Sequence, residues 1–285
     1  MSRKIRSPWY SNISGRFWKV WRRDLDVYLK TWKVNLVPPL VEPILYLLAM
    51  GLGLGSLLNT TGGIHDAPYI TGPSVLYLTW VVPAIIAISV LNSAFFETTY
   101  GSFVRMTYQR TFDAIVSTPL SLEEVIVGEI AWGAVKGLIY GAIVLGVSAA
   151  MGLFGLPVLA QGANIALILL VLPFSLLFGL LSSALGMCCT AIAPSIDSFN
   201  WATFLLITPM FLITGTFFPM GILPTLLQTI VLFTLPLANA IIVTRELMLN
   251  RISPGLALFA LSWTAIVAVI LTVLAIIGMN RKLIK

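Results

Sequence analysis

The chain has 285 residues, 58% of them apolar and 10% charged, with a mean hydropathy of +0.97 and a formal charge of +6. A soluble domain runs at about 45–50% apolar and about 25% charged, so a water-soluble enzyme of this size is excluded. The basic balance reads as membrane orientation and attraction to anionic lipid, not as nucleic-acid binding.

Residues 1–33 are basic and aromatic, without the apolar core of a cleavable signal. Within them, Phe17, Trp21, Leu25, Tyr28 and Trp32 recur every three or four residues, which predicts an amphipathic helix over Ser14–Lys33. Lys19, Arg22, Arg23, Asp26, Lys30 and Lys33 fill the other face. Trp and Tyr favour the headgroup level, so this helix is expected to lie flat on the cytoplasmic leaflet, the chain turning inward near Pro38-Pro39.

A transmembrane helix needs about 20 apolar residues. Six stretches qualify, near Leu36–Leu58, Val75–Phe96, Val125–Met151, Ile165–Ile192, Phe199–Phe217 and Leu256–Met279. They are too long and too continuously apolar for barrel strands, which predicts an all-α, six-span bundle over 34–285. Cys188 and Cys189 lie inside one span and read as buried thiols.

Residues 97–124, between spans two and three, read as a cytoplasmic loop. Within it Thr111–Val116 suits a short helix stopped by Pro119, and Ser121-Leu-Glu-Glu124 is a capping box that starts span three. The apolar stretch Ile222–Val243 is cut by Pro224 and Pro236 into pieces too short to cross. With its flanks (218–255) it reads as a re-entrant segment on the outer side, the rival reading being a seventh span.

Orientation follows from Lys and Arg. With six spans, all 17 of these except Arg245, Arg251 and Lys136 face the cytoplasm, together with both termini. Seven spans would transfer Arg281, Lys282 and Lys285 to the outside, so charge alone separates the two arrangements weakly and the prolines favour six.

The runs Phe96-Glu-Thr-Thr-Tyr100, Arg105-Met, Gln109-Arg-Thr-Phe-Asp-Ala-Ile, Thr118-Pro-Leu-Ser and Gly128-Glu-Ile-Ala-Trp132 resemble the type-2 membrane subunits of ATP-binding-cassette (ABC) exporters. The branch they resemble is that of NodJ-like permeases, which export nodulation factors (lipo-oligosaccharides). The likeness continues, in order, through Trp21-Arg-Arg23, Gly51-Leu-Gly-Leu-Gly55, Ala193-Pro-Ser-Ile-Asp197, Thr208-Pro-Met-Phe-Leu212, Gly215-Thr-Phe-Phe-Pro219 and Pro236-Leu-Ala-Asn-Ala240. One departure is Asn239-Ala240, where that branch leads one to expect a His-containing pair.

The resemblance implies a permease in a bacterial inner membrane that moves lipo-oligosaccharide, glycolipid, polysaccharide or a hydrophobic drug outward. It implies a second permease copy and two cytoplasmic ATPase subunits, which bind ATP and Mg; this chain is expected to hold no cofactor or metal. The coupling helix falls on Thr111–Val116, with Phe112 as an apolar knob against the ATPase and Arg110, Thr111 and Asp113 beside it. Two copies of spans one, two and five would surround the path, with Glu42, Trp80, Phe95, Phe96, Tyr100, Phe204, Phe211, Phe217 and Phe218 as candidate lining.

The chain lacks the Gly-x-x-x-x-Gly-Lys-Ser/Thr of a phosphate-binding loop, since its only Lys followed by Ser or Thr is Lys30, preceded by Leu29. Energy must come from a separate ATPase or from an ion gradient. The second alternative rests on Glu42, Glu129 and Lys136 within the spans. Lys136 is placed to pair with Glu129, and Glu42 suits a gate residue and a satisfied helix-end group equally. A membrane scaffold that recruits a cytoplasmic partner is the third reading. The acids are scattered and the lone His65 stands beside Asp66 without a third partner, which gives no catalytic constellation.

Overall fold

The computed structural model describes residues 15–60, 62–64, 69, 74–153 and 164–283. Arg3, Lys4, Arg6, His65, Asp66 and Lys285 lie outside the described residues. The described residues are mostly helical, and the one strand-like pairing among them is an isolated bridge between Ile64 and Val75. Six helical segments are long and apolar enough to cross a membrane: Trp32–Gly51, Tyr77–Tyr108, Leu122–Leu153, Ile165–Ile192, Ile196–Ile213 and Pro254–Leu283. This is the expected all-α membrane architecture, with several ends moved.

The first helix, α1, is Phe17–Lys30, and Trp32 opens α2, Trp32–Leu52. The break therefore falls at Thr31, not at Pro38-Pro39. There the Thr31 hydroxyl donates to the Val27 carbonyl at 3.1 Å, and Asn35 donates to the Thr31 carbonyl at 3.1 Å. Pro38, Pro39 and Pro43 all sit inside α2. Pro39 has no amide for the carbonyl of Asn35, four residues back; that carbonyl instead accepts the Tyr140 hydroxyl at 3.1 Å.

The aromatic face of α1 does not simply lie in a leaflet. Trp21 and Tyr28 meet Trp132 edge-on at 6.3 and 5.5 Å, so much of that face is spent on the chain's own bundle, while Trp32 stays exposed in α2. The close approach depends on Gly128, where a Cβ would stand 2.7 Å from the Val20 Cβ.

A short helix, α3 (Leu54–Thr60), precedes the central one, α4 (Tyr77–Phe96), which is buried along most of its length. Beyond Phe96 the chain stays helical through wider π turns, Glu97–Gly101 and Val104–Tyr108, so residues 97–108 of the expected 97–124 loop are a continuation of span two. Hydrogen bonds to a neighbouring helix hold these turns: Thr98 Oγ1 donates to the Ser183 carbonyl at 2.8 Å, and Thr190 Oγ1 donates to the Thr98 carbonyl at 2.7 Å.

Arg110, left-handed at φ 50°, then turns the chain into α5 (Thr111–Val116), as expected. The capping box is formed: Glu124 N–H donates to Ser121 Oγ at 3.2 Å and Ser121 N–H to Glu124 Oε2 at 3.0 Å, opening α6 (Leu122–Leu153). After α7 (Ile165–Leu169), α8 (Val171–Ile192) packs on α4 and α6. Ile196–Ile213 then contains α9 (Phe199–Ala202) and α10 (Thr208–Ile213).

The difficult segment forms α11 (Thr225–Thr234) and α12 (Pro236–Leu249), bent by 95° at Leu235-Pro236. At about 1.5 Å per residue neither reaches the ~30 Å of a hydrocarbon core. The chain leading into the pair and the latter part of α12 both meet the first turns of α4: the Phe217 carbonyl lies 3.5 Å from Tyr77 Oη, and Arg245 donates to the Trp80 carbonyl at 3.1 Å. Asn239 braces the bend by donating to the Leu232 carbonyl at 2.7 Å. The last helix, α13 (Pro254–Leu283), packs mainly on α8.

Candidate functional site

Ionisable side chains from three helices converge at the α5 end of the bundle. From the α4 extension, Arg105 places Nε 3.1 Å from Glu129 Oε1 and Nη2 2.5 Å from Glu129 Oε2, and its Nη1 lies 2.9 Å from Glu97 Oε1. Ser102 donates to Glu129 at 2.7 Å. From α1, Arg23 Nη2 reaches Glu129 Oε1 at 3.0 Å and Asp24 Oδ1 at 2.6 Å. From α6, Lys136 Nζ lies 2.7 Å from Glu97 Oε2, and Trp132 donates to Glu97 Oε1 at 3.2 Å.

The expected partner of Lys136 is thereby corrected. Glu129 lies seven residues away on the same helix, about 10 Å along its axis, and is already occupied by Arg105 and Arg23; Glu97 on α4 is the partner. Asp24, in α1, is 4% exposed. Burial, then the nearby Glu129 charge, pushes its carboxyl up to about 6 despite the opposing Arg105 and Arg23.

Two cavities flank this network. One of about 590 Å³ lies between α1, the α4 extension and α6, lined among others by Arg23, Asp24, Tyr28, Asn35 and Trp132. The other, of about 470 Å³, is lined among others by Glu42, Ser89, Asn92, Ser93 and Phe96. Glu97, Gly101 and Lys136 belong to both walls. A crevice of about 10 Å³ shares Glu42 and Ser89 with the second cavity and brings Phe211 and Phe217 to them.

The candidate lining is thus only partly brought together. Glu42, Phe96, Phe211 and Phe217 border these spaces, and Tyr100 lines the first cavity. Trp80 and Phe95 do not; both are fully buried, and Trp80 carries the Arg245 guanidinium 3.6 Å above its ring. Phe204 and Phe218 are exposed on the surface of the chain, 68% and 60%.

At α5, Phe112 is 1% exposed and sits in a cluster with Phe103, Met106, Leu122 and Val125. It is an inward anchor, which corrects the expected outward knob. A six-residue helix on the bundle has one apolar side to bury, and Phe112 is its largest apolar side chain. Arg110 and Asp113 are exposed beside Tyr108, which is 65% exposed, while Thr111 is half-buried. Behind α5, Arg16 donates to the Pro119 carbonyl at 2.9 Å, tying the start of α1 to the turn that leads into α6.

Composition missed Arg23, Asp24, Glu97 and Arg105 as a site. The available signal was their position: ionisable residues within or beside apolar helices survive by pairing.

Residues 15–249 match the family described as ABC-2 type transporter. The chain belongs to that family. This ABC-2 chain is 36% identical over 239 residues to Nodulation protein J of Rhizobium leguminosarum bv. trifolii, covering 81% of this chain and 80% of the relative. It is 33% identical over 266 residues to Nodulation protein J of Sinorhizobium fredii (strain NBRC 101917 / NGR234), 93% of each. It is 24% identical over 209 residues, 73% of each, to the Inner membrane transport permease YadH of Escherichia coli (strain K12). As an ABC-2 chain it is a multi-pass transmembrane subunit of an ABC transporter, and its family implies a partner with an ATP-binding cassette.

Proposed function

We propose that the chain is the non-catalytic permease of an exporter in the bacterial cytoplasmic membrane, with both termini cytoplasmic. Two permease copies and two ATPase subunits form the working assembly, and ATP and Mg are bound by the ATPases. The observation that carries this reading is the construction of α5. Its polar side offers Arg110, Asp113 and Tyr108 outward, while Phe112 fixes the helix to the bundle beneath. A push on that face passes directly to α4 through Arg110 and to α6 through the Ser121–Glu124 box.

The re-entrant reading of 218–255 is supported by the lengths of α11 and α12, by the 95° bend between them, and by the return of Phe217 before the pair and Arg245 within α12 to one end of α4. The exposed apolar residues of α2 and of Ile196–Ile213, such as Val34, Leu45, Trp201 and Phe204, suit the facing copy and lipid. Inside the bundle a succession of cavities runs from Tyr28 to Phe217, the two larger ones lined in part by charged and amide side chains and the last crevice by aromatic rings. That order suits an amphipathic substrate such as a lipo-oligosaccharide or glycolipid, its polar head inside and its tail in the bilayer. The ion-coupled alternative loses two of its three candidates, since Glu129 and Lys136 are both held in ion pairs.

The test is affinity capture of the tagged chain co-expressed with its ATPase. The double variant Arg110→Glu, Asp113→Lys should recover less than about a tenth of the ATPase at unchanged permease yield, the loss expected when paired rim charges are reversed. Equal recovery would remove α5 as the contact.

A further inference from the structure

The segment that follows Ile213 is buried without being helical. Thr214, Gly215 and Thr216 are all buried, and Gly215 stands at φ 80°. Non-helical backbone inside a membrane bundle needs its polar groups met by neighbouring side chains. Arg245 of α12 meets one of them, its Nη2 donating to the Gly215 carbonyl at 2.6 Å. Two residues on, the Phe217 carbonyl lies 3.5 Å from Tyr77 Oη.

The same guanidinium is seated on α4. Its Nε donates to the Trp80 carbonyl at 3.1 Å, and it lies 3.6 Å above the Trp80 ring. Thr244, beside it, donates to the Pro83 carbonyl at 3.2 Å. These contacts tie α12 to α4 whether or not Gly215 is held. Opening the Gly215 contact therefore frees the segment while the cation keeps its ring. A buried charge is weak evidence for stability in itself. What the rigid fork of a guanidinium adds over a neutral donor is a simultaneous hold on two elements.

The held segment ends where the cavities close. Their volume falls from about 470 Å³ beside Asn92 and Ser93 to about 10 Å³ where Phe211 and Phe217 face Glu42. The two rings meet edge to face at 4.9 Å, one on each side of Gly215 in the chain.

We propose that Arg245 is a positioning residue for the closure of this route, the catch that holds residues 214–217, and Phe217 with them, against α4 at the end of the bundle away from α5. The proposal rests on the exporter reading and deepens it by naming the residue whose release opens the far end.

The experiment uses the full-length chain in nanodiscs without ATPase or nucleotide, in a Cys188→Ser, Cys189→Ser background, diluted with unlabelled chain. Spin labels are placed on Leu76→Cys and Phe218→Cys, both exposed sites, and their separation is read by double electron–electron resonance. Arg245→Met should raise the ratio of separated to closed chains about tenfold or more, the scale of one hydrogen bond to a charged group. Arg245→Lys keeps the charge without the fork and should fall between. A second pair on Tyr108→Cys and Ile192→Cys, exposed at the α5 end, should stay unchanged in both variants. In vesicles, Arg245→Met should pass a fluorescent lipid-linked oligosaccharide without ATP, whereas the parent chain should need its ATPase and ATP.

An unchanged Leu76–Phe218 separation, or equal broadening of both label pairs, would overturn the proposal. So would a separated segment with no ATP-independent passage in a chain whose parent transports. A parent that fails to transport with ATPase and ATP would count against the exporter reading, and the spin-label ratio would then decide on its own whether Arg245 holds the segment. Should Arg245→Met not fold, Arg245→Lys is read with the same two label pairs.

Discussion

Arg105 grips Glu129 with a two-pronged contact, Nε at 3.1 Å and Nη2 at 2.5 Å, and so locks the far end of α4 to the early turns of α6. Glu129 is fully buried. Removing one partner strands the other charge, at a cost of about 3–5 kcal/mol. Arg105→Met and Glu129→Leu should each lower the thermal midpoint of the purified chain sharply. The double variant should melt above either single one; additive losses in this cycle would show that the two residues do not act as a unit.

Asp24 makes the docking of α1 sensitive to pH. Its carboxyl is raised from 3.8 to about 6, so the docked state binds the proton more tightly than the undocked one. The resulting stabilisation is complete below about pH 4 and is lost as pH rises through about 6. A spin label on Arg22→Cys, an exposed site of α1, should therefore gain mobility between pH 4 and pH 7. Asp24→Asn should flatten that response, and an unchanged slope would assign it to another group.

Tyr140 serves the backbone of α2. Tyr140→Phe leaves the Asn35 carbonyl without its donor, at about 1–3 kcal/mol for an unmet group. In a Pro39→Ala background the restored amide takes over that carbonyl, and Tyr140→Phe should then cost almost nothing. Equal melting shifts in both backgrounds would mean that the hydroxyl is not replacing the missing amide.

Phe112 and Asp113 are adjacent and should fail in different ways. Phe112→Ala empties a buried aromatic site and should destabilise the chain by about 3–5 kcal/mol. Asp113→Lys changes an exposed residue and should move stability by no more than about 0.5 kcal/mol. Permease-stimulated ATP hydrolysis should nonetheless drop in Asp113→Lys. A variant that melts normally and stimulates normally would exclude Asp113 from the coupling face.

Much of the architecture was legible because lipid imposes length and apolarity on each span, and because Ser121 and Glu124 stand at the spacing of a capping box. Pro236 likewise announced the bend between α11 and α12. The continuation of α4 was hidden because Glu97-Thr-Thr-Tyr-Gly101 reads locally as a polar turn; its helicity comes from Ser183 and Thr190, more than 80 residues away. Pairing was hidden for the same reason. Nothing near Lys136 in sequence points to Glu97, and an alternation of apolar and polar residues over so short a helix could not say that Phe112 faces inward.

The central claim is that this chain is a gate moved by a separate ATPase. The direct measurement is the movement of a fluorescent lipid-linked oligosaccharide across vesicles that contain the purified permease. Movement should require both the ATPase and ATP, and should be absent with the permease alone under a proton or sodium gradient. Accumulation by the permease alone under such a gradient would contradict the account.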